Sequence, residues 1–285
     1  TNMPVSLSVD GGAQVTEIIP LIAANTTVQY TFTTTANLAA LGNHQLIARV
    51  NYPTDSYPDN NVQSATITAS PVINTFPYLQ NFEANSGFWY TNGKNNSWEY
   101  GIIASNKIKR AASGTKAWKT RLAGNYNDNE RSYLYSPCFD VSGMTAPKLS
   151  FSTALDLEDC GNNLCDGTYV EYSADGKTWT KLGAANAGTN WYNKPAFQLW
   201  SVQNYTRWHV ASSALPAGLT NLRLLFVMQS DPAVTREGMA IDDIHIYDNT
   251  NGIYDGVTMS APVSQTVAGG SNWINFTTGG KLIAS

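Results

Sequence analysis

Charge is scarce in this chain: only 13% of its 285 residues are Asp, Glu, Lys or Arg, and the formal net charge is −4. Proteins that grip nucleic acid carry clustered Lys and Arg, so composition excludes a nucleic-acid partner. Long apolar runs are missing too. No stretch approaches the roughly 18 residues of a membrane span, and "TNMPVSLSVDGG" lacks a signal-peptide pattern, so no membrane insertion is expected. Helical periodicity is almost absent. There is no G-x-S-x-G, H-E-x-x-H, P-loop or G-x-G-x-x-G in strand-helix context. Three histidines, His44, His209 and His245, leave a Ser/His/Asp triad formally open, because triads are defined by geometry; the expectation is nonetheless a protein that is not an enzyme. Cysteine is sparse, with Cys138, Cys160 and Cys165, no C-x-x-C and no zinc spacing. "CGNNLC" is a Gly/Asn turn able to close a Cys160–Cys165 disulfide in an extracellular setting; closing so short a loop contributes little, and the bridged and free forms both stay open. Cys138 is then a buried apolar thiol.

What the chain does have is Thr, Asn, Ser, Gly and Tyr around short β-branched or aromatic runs, the composition of an all-β protein with many turns. In residues 1–71, "TTVQYTFTTT" alternates Val28, Tyr30 and Phe32 with polar residues, and "NHQLIARVNY" alternates Leu46, Ala48, Val50 and Tyr52 with Gln45, Ile47, Arg49 and Asn51. Both fit half-buried antiparallel strands, and with "VSLSV", "VTEIIPLI" and "VQSATI" they predict an Ig-like β-sandwich. "TASPVINTFPY" reads as a linker. Residues 72–249 then carry strand-length apolar stretches separated by turn signals, which predicts a larger antiparallel jelly-roll sandwich. Residues 250–285 read as the start of a further β module or a packed tail. The chain begins and ends without clear boundaries and is expected to be a piece of a longer polypeptide.

One strand poses a problem. "EGMAIDDIHIYD" (237–248) places Asp242 and Asp243 in the middle of an apolar run, and strict alternation sets Asp242 with Ala240, Ile244 and Ile246, and Asp243 with Ile241, His245 and Tyr247. An unpaired buried carboxylate costs several kcal/mol, so these need a cation, an Arg or backbone donors, and a bulge would let both share a face. Arg223 and Arg236 are the arginine alternatives. "LDLEDCGNNLCDG" supplies a second acidic patch, Asp156, Glu158, Asp159 and Asp166, read as a solvated loop at the sandwich end in preference to a pair of catalytic carboxylates.

Two resemblances sharpen this reading. "NTTVQYTFTTTANLAALGNHQLIARVNYPTDSYPDNN" resembles bacterial cell-adhesion-related Ig-like modules. The ordered series "NFE", "YLYSPCFDVSG", "PKLSF", "VEYSADGKTWTKL", "RLLFVMQS" and "EGMAIDDIHIYD" resembles the MAM-like, cleaved-adhesin or choice-of-anchor jelly-roll family. The combination resembles large secreted surface proteins of Bacteroidota exported by a type IX system. In that family a Glu of the first strand and Asp of the last hold a structural calcium, which implies Glu83, Asp242 and Asp243 as ligands; calcium takes six to eight oxygens and would neutralise the cluster.

Aromatic residues are the remaining conspicuous class, with eight Trp and fifteen Tyr. Sugar rings stack on exposed aromatic faces, and "AGTNWYNKPAFQLWSVQNYTRW" offers Trp191, Tyr192 and Trp200 as a loop platform, while Trp118 and Trp179 alternate with polar neighbours as core residues do. The resulting expectation is a non-enzymatic secreted or cell-surface adhesion or binding module with structural calcium, recognising a glycan or a host or neighbour-cell surface protein. The alternatives are a carbohydrate-binding accessory segment of a secreted hydrolase and a structural spacer in a surface stalk.

Overall fold

The structure is a computed structural model that describes residues 2–250 and, beyond them, only the backbone of 251, 253–254 and 257–258. The expected further module at 250–285, Trp273 included, lies almost wholly outside the described residues. The chain divides into two compact units between Pro71 and Val72.

The first unit holds β1 (Met3–Val9), β2 (Val15–Ile19), β3 (Gly42–Val50) and β4 (Val62–Ala69), an antiparallel sheet in the order β2-β1-β3-β4. Asp10 and Gly11, both at positive φ, close the β1–β2 turn, and the Asp10 carboxylate takes the Gln45 amide and the His44 ring on β3. The segment expected as a strand over 27–33 is not one. Its donors go to a side chain instead of a ladder: the Glu17 carboxylate accepts the Tyr30 hydroxyl at 2.7 Å and the amides of Thr33 and Thr34 at 3.0 Å. Among the described residues this unit therefore has one sheet, where an immunoglobulin-like sandwich has two.

In the second unit the strands are β5 (Val72–Ile73), β6 (Tyr78–Gln80), β7 (Tyr90–Lys94), β8 (Trp98–Ile102), β9 (Lys116–Thr120), β10 (Arg131–Tyr135), β11 (Cys138–Asp140), β12 (Pro147–Asp156), β13 (Gly167–Ser173), β14 (Thr180–Lys181), β15 (Tyr205–Ala214), β16 (Asn221–Gln229) and β17 (Gly238–Asp248). A seven-stranded sheet runs β14-β13-β16-β10-β7, with β11 further along the same edge of β16 and β5 parallel beside β11. A six-stranded sheet runs β15-β12-β17-β9-β8, with β6 following β9 along the edge of β17. Apart from β5 beside β11 every pairing is antiparallel, and the fold is all-β. The inner faces meet at Phe151 of β12 and Phe226 of β16, both fully buried, with ring centroids 4.9 Å apart and planes near perpendicular, a favourable aromatic geometry.

The acidic strand departs from strict alternation. Ser150 pairs with His245 and Ser152 with Asp242, so one β12 residue, Phe151, opposes two on β17, Asp243 and Ile244. This is a β-bulge, and Asp243 sits in it at φ 48°. The extra residue switches the parity of the strand: Met239 and Ile241 point into the core before it, Ile244 and Ile246 after it. Without the bulge, Asp243 would point at the core with Ile241. On the outer face of this sheet the 103–115 segment packs Ile103, Ile108 and Ala111 against Ala117, Ala154 and Ala240, small residues that let it lie close.

Candidate functional site

The bulge presents both carboxylates to one loop. Asp242, fully buried, accepts the amides of Ala112 and Ser113 at 3.0 Å and of Asp243 at 2.8 Å; Asp243 accepts the hydroxyls of Ser113 and Ser152. Glu83 meets the same loop, accepting the amides of Thr115 at 2.8 Å and Lys116 at 2.7 Å. A Cβ at Gly114, whose φ is +55°, would stand 2.2 Å from the Glu83 carboxyl carbon, so the loop needs glycine there. Burial, reinforced by the Asp243 charge, pushes the Asp242 carboxyl up to about 7 against the pull of the amides. The amides hold Glu83 below the usual carboxylate range. Ion pairs among the described residues lie elsewhere: Lys107–Asp156, Lys194–Asp159 and His44–Asp10. The carboxylate oxygens of Glu83, Asp242 and Asp243 share this loop but do not all lie within 4.8 Å of one another; among the described residues the groups that do are Glu158 with Cys160 and Cys165, and Glu158 with Asp166 and Asp231.

The aromatic platform expected from Trp191, Tyr192 and Trp200 requires correction. These residues are 1%, 3% and 2% exposed and belong to the core. The Trp191 indole donates to the Leu182 carbonyl at 3.1 Å, the Trp200 indole to the Asn190 carbonyl at 2.9 Å, and the Tyr192 hydroxyl to the Leu182 carbonyl at 2.9 Å. With their polar tips satisfied inside, Trp200 packs edge-on against Trp191 and Tyr192, and both indoles pack edge-on against Phe151. Trp118, 6% exposed, is a core residue as expected.

Cys160 and Cys165 are joined by a disulfide and Cys138 is a half-buried thiol. The acidic patch beside the bridge is paired and partly buried, where a solvated loop was expected. Asp156, 1% exposed, accepts the Lys107 ammonium at 2.9 Å and the Asn204 amide at 2.8 Å; Asp159 accepts Lys194 at 2.6 Å. Asp166, fully buried, accepts the Tyr126 hydroxyl and the Asp231 amide, and burial raises its carboxyl to about 6. His44 bonds the Asp10 carboxylate and the Ala40 carbonyl, His209 the Arg207 carbonyl, and His245 stacks on Tyr247.

A tyrosine-rich surface that the sequence pattern did not single out lies on the outer face of the seven-stranded sheet. Along β10, Ser132 and Leu134 are fully buried beneath, so Arg131, Tyr133 and Tyr135 stand on the other side, opposite Lys94, Asn92 and Tyr90 of β7. Tyr90 and Tyr135 stack with centroids 5.0 Å apart and planes 7° from parallel; Tyr133 and Trp179 lie 6.0 and 5.7 Å from the Tyr135 ring. Tyr90, Tyr133, Tyr135 and Trp179 are half-buried. Trp179, expected in the core, therefore lies in this outer row. Beyond Leu225 and Val227, which the rings help to cover, come Tyr169 and Glu171 of β13 and Lys181 of β14. The signal was present in "RSYLY" as Tyr133 and Tyr135 alternating with the fully buried Ser132 and Leu134.

No family model matches the chain. A curated relative, Bacillopeptidase F of Bacillus subtilis (strain 168), is 29% identical over 187 residues, which is 65% of this chain but 12% of that protein, so the chain spans about an eighth of its length. Solved structures similar to it include the K1 cleaved adhesin domain of Lys-gingipain from Porphyromonas gingivalis W83 (16% identity, 60% of this chain and 99% of that one, TM-score 0.36). The K2 cleaved adhesin domain of Lys-gingipain matches at 18% identity over 60% and 97% of the chains with TM-score 0.37. TmCBM61 in complex with β-1,4-galactotriose matches at 12% identity over 60% and 99% with TM-score 0.36. At these TM-scores the likeness decides nothing about function.

Proposed function

We propose that this chain is a non-enzymatic extracellular binding module that recognises a glycan on the outer face of the seven-stranded sheet. The observation that carries the reading is the contiguous row Tyr90, Tyr135 and Trp179, with Tyr133 beside it, on a rigid sheet. Half-exposed rings offer flat apolar faces to sugar C–H groups, and the hydroxyls and neighbouring Asn92 and Gln229 offer hydrogen bonds to sugar hydroxyls. The Cys160–Cys165 bridge supports an oxidising location, secreted or cell-surface.

Within this reading, the second unit is a jelly roll of the MAM-like or cleaved-adhesin kind, preceded by a small single-sheet β unit, and the whole is part of a larger secreted polypeptide. Asp242, Asp243 and Glu83, which share the 112–116 loop though their oxygens do not all lie within 4.8 Å of one another, are the residues that would draw together on a structural calcium; the fully buried Asp242 carboxylate, which has only neutral donors, is what favours it. Calcium there supplies charge neutralisation alone.

The test is retention of the chain on a panel of soluble and insoluble polysaccharides, comparing the native sequence with Tyr135→Ala and Trp179→Ala. Retention lost in both variants, with melting temperatures that remain cooperative, supports the glycan face. Retention on protein or cell surfaces without any on polysaccharide favours a protein adhesin, and no retention on either favours a spacer in a surface stalk.

A further inference from the structure

The cations of the tyrosine face are placed in a way that sugar stacking alone does not call for. Arg131 of β10 stands directly across from Lys94 of β7 in the ladder. Like charges opposite one another in a sheet are destabilising. The Arg131 guanidinium lies 5.5 Å from the Tyr169 ring centroid and 6.0 Å from that of Tyr133, and donates to the Tyr169 hydroxyl at 2.6 Å and to Gln229. Lys181 approaches the same ring on the same face from the flanking strand β14, its ammonium 3.9 Å from the Tyr169 centroid and 3.0 Å from the Phe197 carbonyl. Tyr169 is 4% exposed and thus a fixed post between two cations.

Neither cation has a carboxylate within 4.0 Å; the ion pairs of the described residues involve Lys107, Lys194 and His44. Glu171, the acidic residue of β13 on this face, is paired in register with Lys181. Burial raises its carboxyl above the ordinary value, and Arg131 and Lys181 pull it back down. Three cations and one carboxylate thus gather around the aromatic row of a chain whose net charge is −4. Such a local reversal of sign is what complementarity to an anion requires.

We infer that the glycan taken by this face is acidic, a polysaccharide bearing carboxylate or sulfate groups, with the anionic group held by Arg131 and Lys181 and the sugar ring on Tyr135 and Trp179. This rests on the glycan-binding reading above and names its substrate class. The Arg131 side chain is ordered in advance. Its hydrogen bonds to Tyr169 and Gln229 fix the planar guanidinium, so little freedom is lost when an oxyanion arrives. The few cations present are also too few for the many-phosphate contacts on which nucleic-acid affinity depends.

The experiment uses the full chain in affinity electrophoresis against polygalacturonate, a sulfated galactan, a neutral galactan and a single-stranded oligonucleotide. It is run at about 50 and 300 mM salt, which spans strong to weak screening. Expected is retention by one or both anionic polysaccharides and not by the neutral one, falling at least about threefold in the higher salt. The carboxylated and sulfated arms identify the anionic group. Arg131→Gln and Lys181→Gln should each weaken retention about three- to tenfold, and Lys94→Gln less, with melting temperatures showing that the fold persists. Equal retention by neutral and acidic galactans, unmoved by Arg131→Gln, overturns acidic specificity but leaves the glycan face standing. Retention of the oligonucleotide above every polysaccharide also overturns the inference. No retention by any polysaccharide overturns the glycan reading itself.

Discussion

Ile241 and Ile244 point into the same core although three positions separate them along one strand. Alternation forbids this in a regular strand, and the bulge at Asp243 makes it happen. The residue at 243 must therefore adopt φ 48°, a region that Asp and Asn tolerate and β-branched residues do not. In calcium-free buffer Asp243→Val should cost about 1–3 kcal/mol more in unfolding free energy than Asp243→Asn, measured by urea denaturation. Equal losses would mean that the backbone at 243 is not held in this conformation.

Calcium should raise the melting temperature of chelator-stripped protein. At about a thousand times its dissociation constant a ligand contributes roughly 4 kcal/mol, which is several degrees for a unit of this size. Asp242→Asn and Glu83→Gln should lose most of the shift. No shift in the stripped native protein would leave the carboxylates to the amides and hydroxyls of the 112–116 loop and Ser152.

Asp166 titrates against stability. Burial sets its carboxyl at about 6, above the ordinary value of 3.8, so the folded state binds more protons than the unfolded state between those values. Its contribution is fully present below about pH 4 and is lost as pH rises through 6. Asp166→Asn, which keeps an acceptor for the Asp231 amide and removes the charge, should be more stable than the native protein by about 1–2 kcal/mol at pH 7.5, with the advantage vanishing near pH 4. Denaturation midpoints at the two pH values check this.

On the tyrosine face the effects of ring and hydroxyl separate. Tyr135→Phe keeps the stack on Tyr90 and should retain most polysaccharide binding, whereas Tyr135→Ala should lose it together with about 1–2 kcal/mol of stability. Binding isotherms paired with thermal melts distinguish the two.

The sequence made the strands of the second unit legible because apolar residues either alternate at period two, as in "PKLSF", or run unbroken for strand length where both faces are buried, as in "NLRLLFVMQ". It did not settle which face of a strand meets solvent. Asp243, His245 and Tyr247 change sides because of one extra residue, and no alternation pattern counts an unpaired position. Trp191, Tyr192 and Trp200 sit in a segment with loop-like composition, but their NH and OH groups find backbone carbonyls inside, so polarity of the surrounding sequence misled. The stripe Arg131, Tyr133, Tyr135 was visible, yet its partner stripe on β7 and the reach of Trp179 across two strands are long-range facts that local pattern does not hold. In the first unit Val28, Tyr30 and Phe32 alternate as a strand would, and the competing acceptor, Glu17, lies more than ten residues away in sequence.

The location of the ligand is open to direct measurement through Trp179. Five other tryptophans, Trp89, Trp98, Trp118, Trp191 and Trp200, are at most 6% exposed, so a ligand on the tyrosine face should alter the fluorescence of Trp179 above all. Acrylamide quenching of the native chain and of Trp179→Phe, with and without a polysaccharide that retains the chain, gives the answer. Protection of the native chain that is absent in the variant places the glycan on this face. The same protection in Trp179→Phe, or none in a native chain shown to be bound, would put the ligand elsewhere and contradict the assignment.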